Sequence, residues 1–322
     1  MRWNTTATIE QLTEFICTIV QKTLKKKGVV IGMSGGIDSS VVAALCCRAL
    51  GSQHVTGLAL PEKDSSPESR ELAASLAQKL GLDFIVEDLT NGLEGMGAYR
   101  RRDDAVKRVI PEYEPGCSFK IVLQSNPLVN QSYHVFYCHV IDKQGNVHEK
   151  RLPLQEYLQI VAASNMKQRM RMSMLYYHAE ARNYAVAGTA NRNEYDLGFF
   201  VKYGDGGADF MPICHILKSR IFQLAEELQI PQEIINRTPS TDTYPAHVSQ
   251  EEFFFRLPFA TLDAIWEAAG DGLTAAEIAR QLNLHPEQVE RVILDICQKH
   301  RNTLYLRTEP VRIQVEQIKK TW

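Results

Sequence analysis

Residues 29–45 read VVIGMSGGIDSSVVAAL, and the fold turns on this stretch. An apolar run, a loop with paired glycines and a second apolar run predict a buried strand over 29–33, a tight turn, and a helix over 38–50. Gly35 and Gly36 permit a sharp turn and let backbone N–H groups approach a ligand without interference from a Cβ. Asp38, Ser39 and Ser40 fall where the helix begins, so hydroxyls, free backbone donors and the positive end of the helix dipole converge. Such a spot favours an anion, above all phosphate or pyrophosphate. The stretch fits neither a G-x-x-x-x-G-K-[ST] loop nor a G-x-G-x-x-G dinucleotide fingerprint.

On either side, the pattern alternates. An amphipathic helix over 9–27 precedes the strand. A strand over 54–60, a helix over 67–80 and a strand over 83–89 follow it. Alternating units with short connections predict an α/β fold with a doubly wound parallel sheet, whose ligands bind beyond the carboxyl ends of the strands. The alternation breaks between 91 and 158, where 133–141, the turn DKQGN (142–146) and 147–152 read as an inserted β-hairpin. A long helix over 163–184 leads to a strand over 185–190, and its methionines read as a core stripe. A helix over 213–228 and a Pro/Ser/Thr-rich loop over 230–258 complete a first domain, 1–260. Residues 261–322 read as a C-terminal helical module and tail packed on it.

Composition narrows the partners. The chain of 322 residues has a net charge of -2, which argues against bulk attraction to nucleic acid or an anionic membrane. The opening lacks the pattern of a signal peptide, and no apolar run is long enough to span a bilayer. Seven scattered cysteines without a C-x-x-C pair suggest reduced thiols and a cytoplasmic protein. The stretch 273–296 resembles a helix-turn-helix, but its second helix sets Glu287, Glu290 and Asp295 against Arg291, so a packing module is expected rather than a DNA reader.

A second cluster, GTANRNEYDLGFFVKYGDGGAD, spans 188–209. Gly188 and Thr189 close a predicted strand on the same sheet edge as the first loop. From there Glu194 can meet Asp38 across a shared cation, and two carboxylates beside a polyphosphate suit Mg2+, which keeps several waters and few protein ligands. Lys202, Asp205 and Asp209 follow. A third cluster pairs Lys218, on the helix after Pro212, with the loop Pro239-Ser240-Thr241-Asp242. A lysine aimed at the site would neutralise departing pyrophosphate.

The order Ser-Gly-Gly-Ile-Asp-Ser resembles the pyrophosphate loop of the N-type ATP pyrophosphatases. Together with NMKQRMRM, the 188–209 stretch and the PSTD loop, it makes the chain similar to the ammonia-dependent NAD synthetases over most of residues 1–300. That resemblance implies the adenine nucleotide alpha hydrolase-like fold and amidation of deamido-NAD by ammonia through an acyl-adenylate, with ATP as co-substrate. It implies an ATP site at Gly32, Met33, Ser34, Gly35, Gly36, Ile37, Asp38, Ser39, Thr189, Lys218 and Ser240, and Mg2+ on Asp38 and Glu194. Arg169, Lys202 and Asp209 match positions that hold deamido-NAD. Asp38, Lys218 and Asp205 are the candidate catalytic residues, Asp205 as holder of ammonium or acceptor of its proton. A homodimer is implied as well. With a helix starting near the first residues, no glutaminase domain is expected, so ammonia is the nitrogen donor.

Three departures from that pattern stand out: Lys299-His300-Arg301 near the end, the long 91–158 connection, and the aromatic run TYPAHVSQEEFFFRLPF after Asp242. They leave open a paralogue that amidates another carboxylate, such as a sugar or metabolite acid. A nucleotide-binding protein without turnover is a third reading, opposed by the joint presence of Asp38, Glu194 and Lys218.

Overall fold

The computed structural model describes residues 3–123, 126–128, 135–240, 244–246 and 248–311. Helix α1 (Thr5–Cys17) is N-capped by the Asn4 side chain and runs on as a π-helical segment, Thr18–Thr23. Strand β1 (Val29–Gly32), helix α2 (Ile37–Leu50), strand β2 (Val55–Ala59), helix α3 (Pro67–Leu80) and strand β3 (Asp83–Val86) follow the expected alternation. Helices α4 (Thr90–Gly95) and α5 (Ala98–Val109) come next, then strands β4 (Ser118–Leu123), β5 (Phe136–Ile141) and β6 (Val147–Arg151). Helix α6 (Leu154–Arg182) leads into strand β7 (Ala185–Ala187) and helix α7 (Arg192–Leu197). Helices α8 (Lys218–Glu227), α9 (Gln232–Ile235), α10 (Phe259–Gly270), α11 (Ala275–Leu282), α12 (Pro286–Asn302) and α13 (Leu304–Arg307) complete the described chain.

The main sheet is parallel, in the order β3-β2-β1-β7. Gly32 lies opposite Leu58, and Ile31 opposite Ala187, so β1 is central. Alternate residues of a strand face opposite sides. Accordingly Val29 and Ile31 join a core with α1, α2, α3 and α8, while Val30 joins another with Leu58, Val186 and the methionines of α6. Both faces are covered, as a parallel sheet requires. Met166, Met170 and Met174 are partly buried against that second core, in line with a packing stripe.

Four segments differ from the sequence expectation. The 91–158 region holds two helices and a three-stranded antiparallel sheet, β4-β5-β6, rather than a hairpin alone. The β5–β6 hairpin is present, its turn fixed by Asp142 Oδ1, which accepts from Gln144 N at 2.9 Å and Asn146 N at 2.8 Å. β4 pairs with β5 across the intervening segment, and a pairing of that kind leaves no turn signature. Helix α6 begins at Leu154, nine residues before the expected 163, where Pro153 sets an extended N-cap backbone. Helix α8 starts at Lys218 rather than 213, and the 230–258 loop contains α9 and a π-helical turn, Glu251–Phe255.

Helices α10 to α12 share an apolar core with Leu197 and Phe255. The helix-turn-helix-like stretch packs Ile278, Val289 and Val292 into it. Asp295, one of the acidic residues that spoke against a DNA reader, turns inward between Arg256 and Lys299. Among the described residues, no helix is long and apolar enough to cross a membrane.

Candidate active site

The carboxyl ends of β1, β2 and β7 open into one cavity of about 1040 Å³. Its floor is the loop after β1. Gly35 has φ +70°, and a Cβ there would collide with the Ser69 carbonyl oxygen, so both backbone and space demand glycine. Gly36 is the N-cap of α2. Ser34 Oγ and Ser39 Oγ lie 3.3 Å apart, and Ser39 Oγ donates to Gly36 O at 3.0 Å. These bonds hold the loop so that the free N–H groups of the helix start face the cavity. Gly32, Met33, Ser34, Gly36, Ile37, Asp38 and Ser39 line it, as do Thr189, Glu194, Lys218 and Ser240. Gly35 lies behind that lining, turned toward Ser69.

Asp38 and Glu194 come together through Asn191. The Asn191 Nδ2 donates to Asp38 Oδ1 at 3.0 Å, and its backbone N–H donates to Glu194 Oε2 at 3.1 Å. Asn191 and Glu194 form the capping box of α7, which fixes Glu194 in the first turn of that helix. Burial, and next the charge of Asp38, hold the Glu194 carboxyl well above the usual carboxylate range, while Lys218 pulls the other way. The fully buried Lys218 ammonium pairs with Asp38 Oδ2. Its backbone N–H donates to Asn193 Oδ1 at 2.9 Å; Asp263 of α10 then binds Asn193 Nδ2 at 2.6 Å and Ser219 N at 2.7 Å. Asp263 thus holds the start of α8, and with it the lysine, from a helix about 45 residues downstream.

Asp205 lines the cavity from the GDGG turn, its Oδ1 accepting from Val201 N at 2.8 Å. Its carboxylate faces the open cavity, yet the surrounding protein still lifts it to about 6 by desolvation. Arg169 and Lys202 line the cavity too. Lys202 Nζ donates to Tyr305 O at 2.9 Å and to Thr308 O at 2.6 Å, so the C-terminal segment reaches the cavity rim. Asp209 is placed elsewhere. It lies outside the lining, with its carboxylate taken by Val186 N at 2.8 Å and Tyr176 Oη at 3.2 Å, where it ties the 209 segment to β7. Thr241 and Asp242 of the PSTD loop fall outside the described residues.

Sequence reading passed over several lining groups. Phe136 of the inserted sheet and Tyr157 of α6 make an aromatic wall beside Leu123, joined by Phe253 and Phe254 of the aromatic run already marked in the sequence as a departure. Phe136 and Tyr157 stack with ring centroids 4.1 Å apart. Arg171, two residues beyond Arg169, also lines the cavity. Asn191 carried a local signal, the N-x-x-E capping pattern. Asp263 carried none.

The sequence profile described as NAD synthase matches residues 8–109 and 135–309, leaving out 110–134, where β4 sits. The NH(3)-dependent NAD(+) synthetase of Rhizobium rhizogenes is 44% identical over 314 residues, covering 98% of this chain and 94% of the relative. The Rhizobium meliloti protein of the same name is 47% identical over 298 residues, covering 92% and 89%. Among solved structures, an NH3-dependent NAD synthetase from Campylobacter jejuni superposes with a TM-score of 0.62 at 22% identity, covering 97% of this chain and all of that one. An NMN synthetase from Francisella tularensis gives 0.61 at 21%, covering 97% of this chain and all of that one. At those identities the two structures speak to the fold, while the profile and the full-length relatives speak to descent. By that descent this chain belongs to the NAD synthase family.

Proposed function

We propose that this protein amidates deamido-NAD with ammonia at the expense of ATP, releasing AMP and pyrophosphate, and that it works as a cytoplasmic homodimer with magnesium. One observation carries the reading: the Gly32–Ser39 loop, Asp38, Glu194 and Lys218 line the same cavity as Arg169, Lys202 and Asp205. The near-full-length identity to proteins named for that reaction supports the acceptor. It favours deamido-NAD over another carboxylate.

Magnesium fits the carboxylate pair, because Asp38 and Glu194 share Asn191 and repel one another, a repulsion a divalent cation removes. When bound, the ion neutralises polyphosphate charge as pyrophosphate departs. The chain supplies the rest. Backbone donors at the start of α2 and the Lys218 ammonium stabilise the departing pyrophosphate, while a carboxylate oxygen of the acceptor forms its bond to the α-phosphorus. Ammonia then attacks the activated carbonyl. A C–N bond forms, the C–O bond to AMP breaks, and Asp205, ionised at neutral pH, takes the released proton. Leu154 at 71% and Leu158 at 55% exposure leave apolar surface on α6 that a second copy would cover.

The test is direct. With deamido-NAD, ATP, magnesium and ammonium, NAD, AMP and pyrophosphate form in equal amounts. Failure to form NAD while ATP still binds would return the paralogue reading.

A further inference from the structure

Arg171 has no role in the scheme above, yet this partly buried residue lines the cavity. Nε donates to the Leu60 carbonyl at 3.1 Å and Nη2 to Ser65 Oγ at 3.3 Å. Both acceptors are neutral, and among the described residues no carboxylate pairs with it at ion-pair distance. Asp205, which lines the same cavity, feels the Arg171 charge. A guanidinium oriented by neutral partners keeps N–H donors for a planar or tetrahedral oxyanion.

A network of buried hydrogen bonds and ion pairs holds the loop that orients it. Ser65 Oγ also accepts from Glu62 N at 3.1 Å. Glu62 takes the Tyr99 hydroxyl at 2.8 Å and Lys167 Nζ at 3.0 Å. Lys167 reaches Asp64 at 2.6 Å, and Arg102 pairs with the same carboxylate. Glu62, Arg102 and Lys167 are each under 5% exposed. Desolvation offsets much of what such buried pairs gain, so added stability is a poor account of the network. Its geometric product is a rigid 60–65 segment, built jointly by β2, the inserted α5 and α6.

We propose that Arg171 binds a phosphate oxyanion of a bound nucleotide in the cavity that the Ser34–Ser39 loop also lines. Glu62, Asp64, Lys167 and Arg102 are positioning residues that hold the guanidinium through the 60–65 segment. The inference rests on the ligase reading. The phosphate belongs either to ATP or to the diphosphate of the dinucleotide, and the two have different kinetic signatures.

The experiment is deamido-NAD-dependent ATP–pyrophosphate exchange with each substrate varied, on Arg171→Met, Arg171→Lys and Glu62→Gln, alongside calorimetric ATP binding. Arg171→Met raises one KM by about tenfold, the worth of a charge-assisted hydrogen bond. A rise for ATP, echoed in the binding constant, assigns the phosphate to ATP; a rise for deamido-NAD assigns it to the dinucleotide. Glu62→Gln raises the same KM less, leaves kcat near wild type and speeds amide hydrogen exchange in 60–66. Should Arg171→Met not fold, Arg171→Lys carries the test with a smaller rise in the same KM. Neither KM moving beyond about twofold overturns the assignment, and a Glu62→Gln protein that melts lower with unchanged KM overturns the positioning role. If the wild-type protein itself lacks exchange, the ligase reading fails, and calorimetry with ATP and with deamido-NAD on the same variants still decides the Arg171 inference.

Discussion

The two ends of the cavity are built on different terms. At the pyrophosphate end, a single strand–loop–helix unit supplies most of the lining, and its shape follows from local rules: Gly35 at φ +70°, Gly36 as N-cap, serine hydroxyls closing the turn. At the end proposed for the acceptor, the wall is assembled from the inserted sheet and the α6 that follows it, together with the π-helical turn and the C-terminal segment, both far along the chain. A site proposed to grip the same polyphosphate in every turnover can be local. One that must fit a large acceptor draws on whatever elements the tertiary fold brings near.

The contrast can be broken at either end. The largest effect belongs to Asp38→Asn, which removes a carboxylate from the pyrophosphate end and costs about a thousandfold in exchange and amidation alike. A variant that kept exchange would detach that end from the chemistry. Asp205→Asn comes next. Amidation falls by about a hundredfold, the usual worth of a general base, while pyrophosphate exchange persists. Parallel loss of both activities would remove Asp205 from the ammonia step. Because its carboxyl is lifted to about 6, the wild-type amidation rate, measured at a fixed concentration of free ammonia, rises with pH through that value. In the variant that limb vanishes.

Phe136→Leu sharpens the acceptor end. Losing one face of the Phe136–Tyr157 stack raises the deamido-NAD KM by about fivefold and leaves the ATP KM alone. An ATP effect instead would merge the two ends into one. The smallest effect is on stability. Glu194 is raised in the folded protein above its unfolded value, so the folded state binds the extra proton. Stability of the metal-free protein therefore falls as pH climbs from the ordinary carboxylate value through the raised one. Magnesium, by favouring the ionised form, offsets that fall, and its affinity weakens as the pH is lowered. Melting temperatures across that range, with and without magnesium, check the sign; a metal-free protein that gains stability on the same climb would contradict it.

Local patterns made the β1–loop–α2 unit, the alternation through β3, the β5–β6 hairpin and the Asp38–Glu194 partnership legible. Each rests on residues a few positions apart, or on a strand end whose sheet edge is fixed by topology. Asp209 lies in a motif beside cavity residues, while in the single chain its carboxylate accepts from Val186 N of β7, a long-range bond that its motif does not announce. β4 went unseen because its partner is reached across a long excursion. Lys218 was found, but not the reason it sits still, since Asp263 belongs to another helix.

Sequence by itself determined the central strand and the glycine turn, because backbone sterics and apolar alternation are properties of short segments. Tertiary structure alone decided which side chains close the acceptor end, where α8 begins, and how Glu62, Asp64, Lys167 and Arg102 lock the segment behind Arg171. Those depend on distances between groups far apart in the chain, and only the packed core sets such distances.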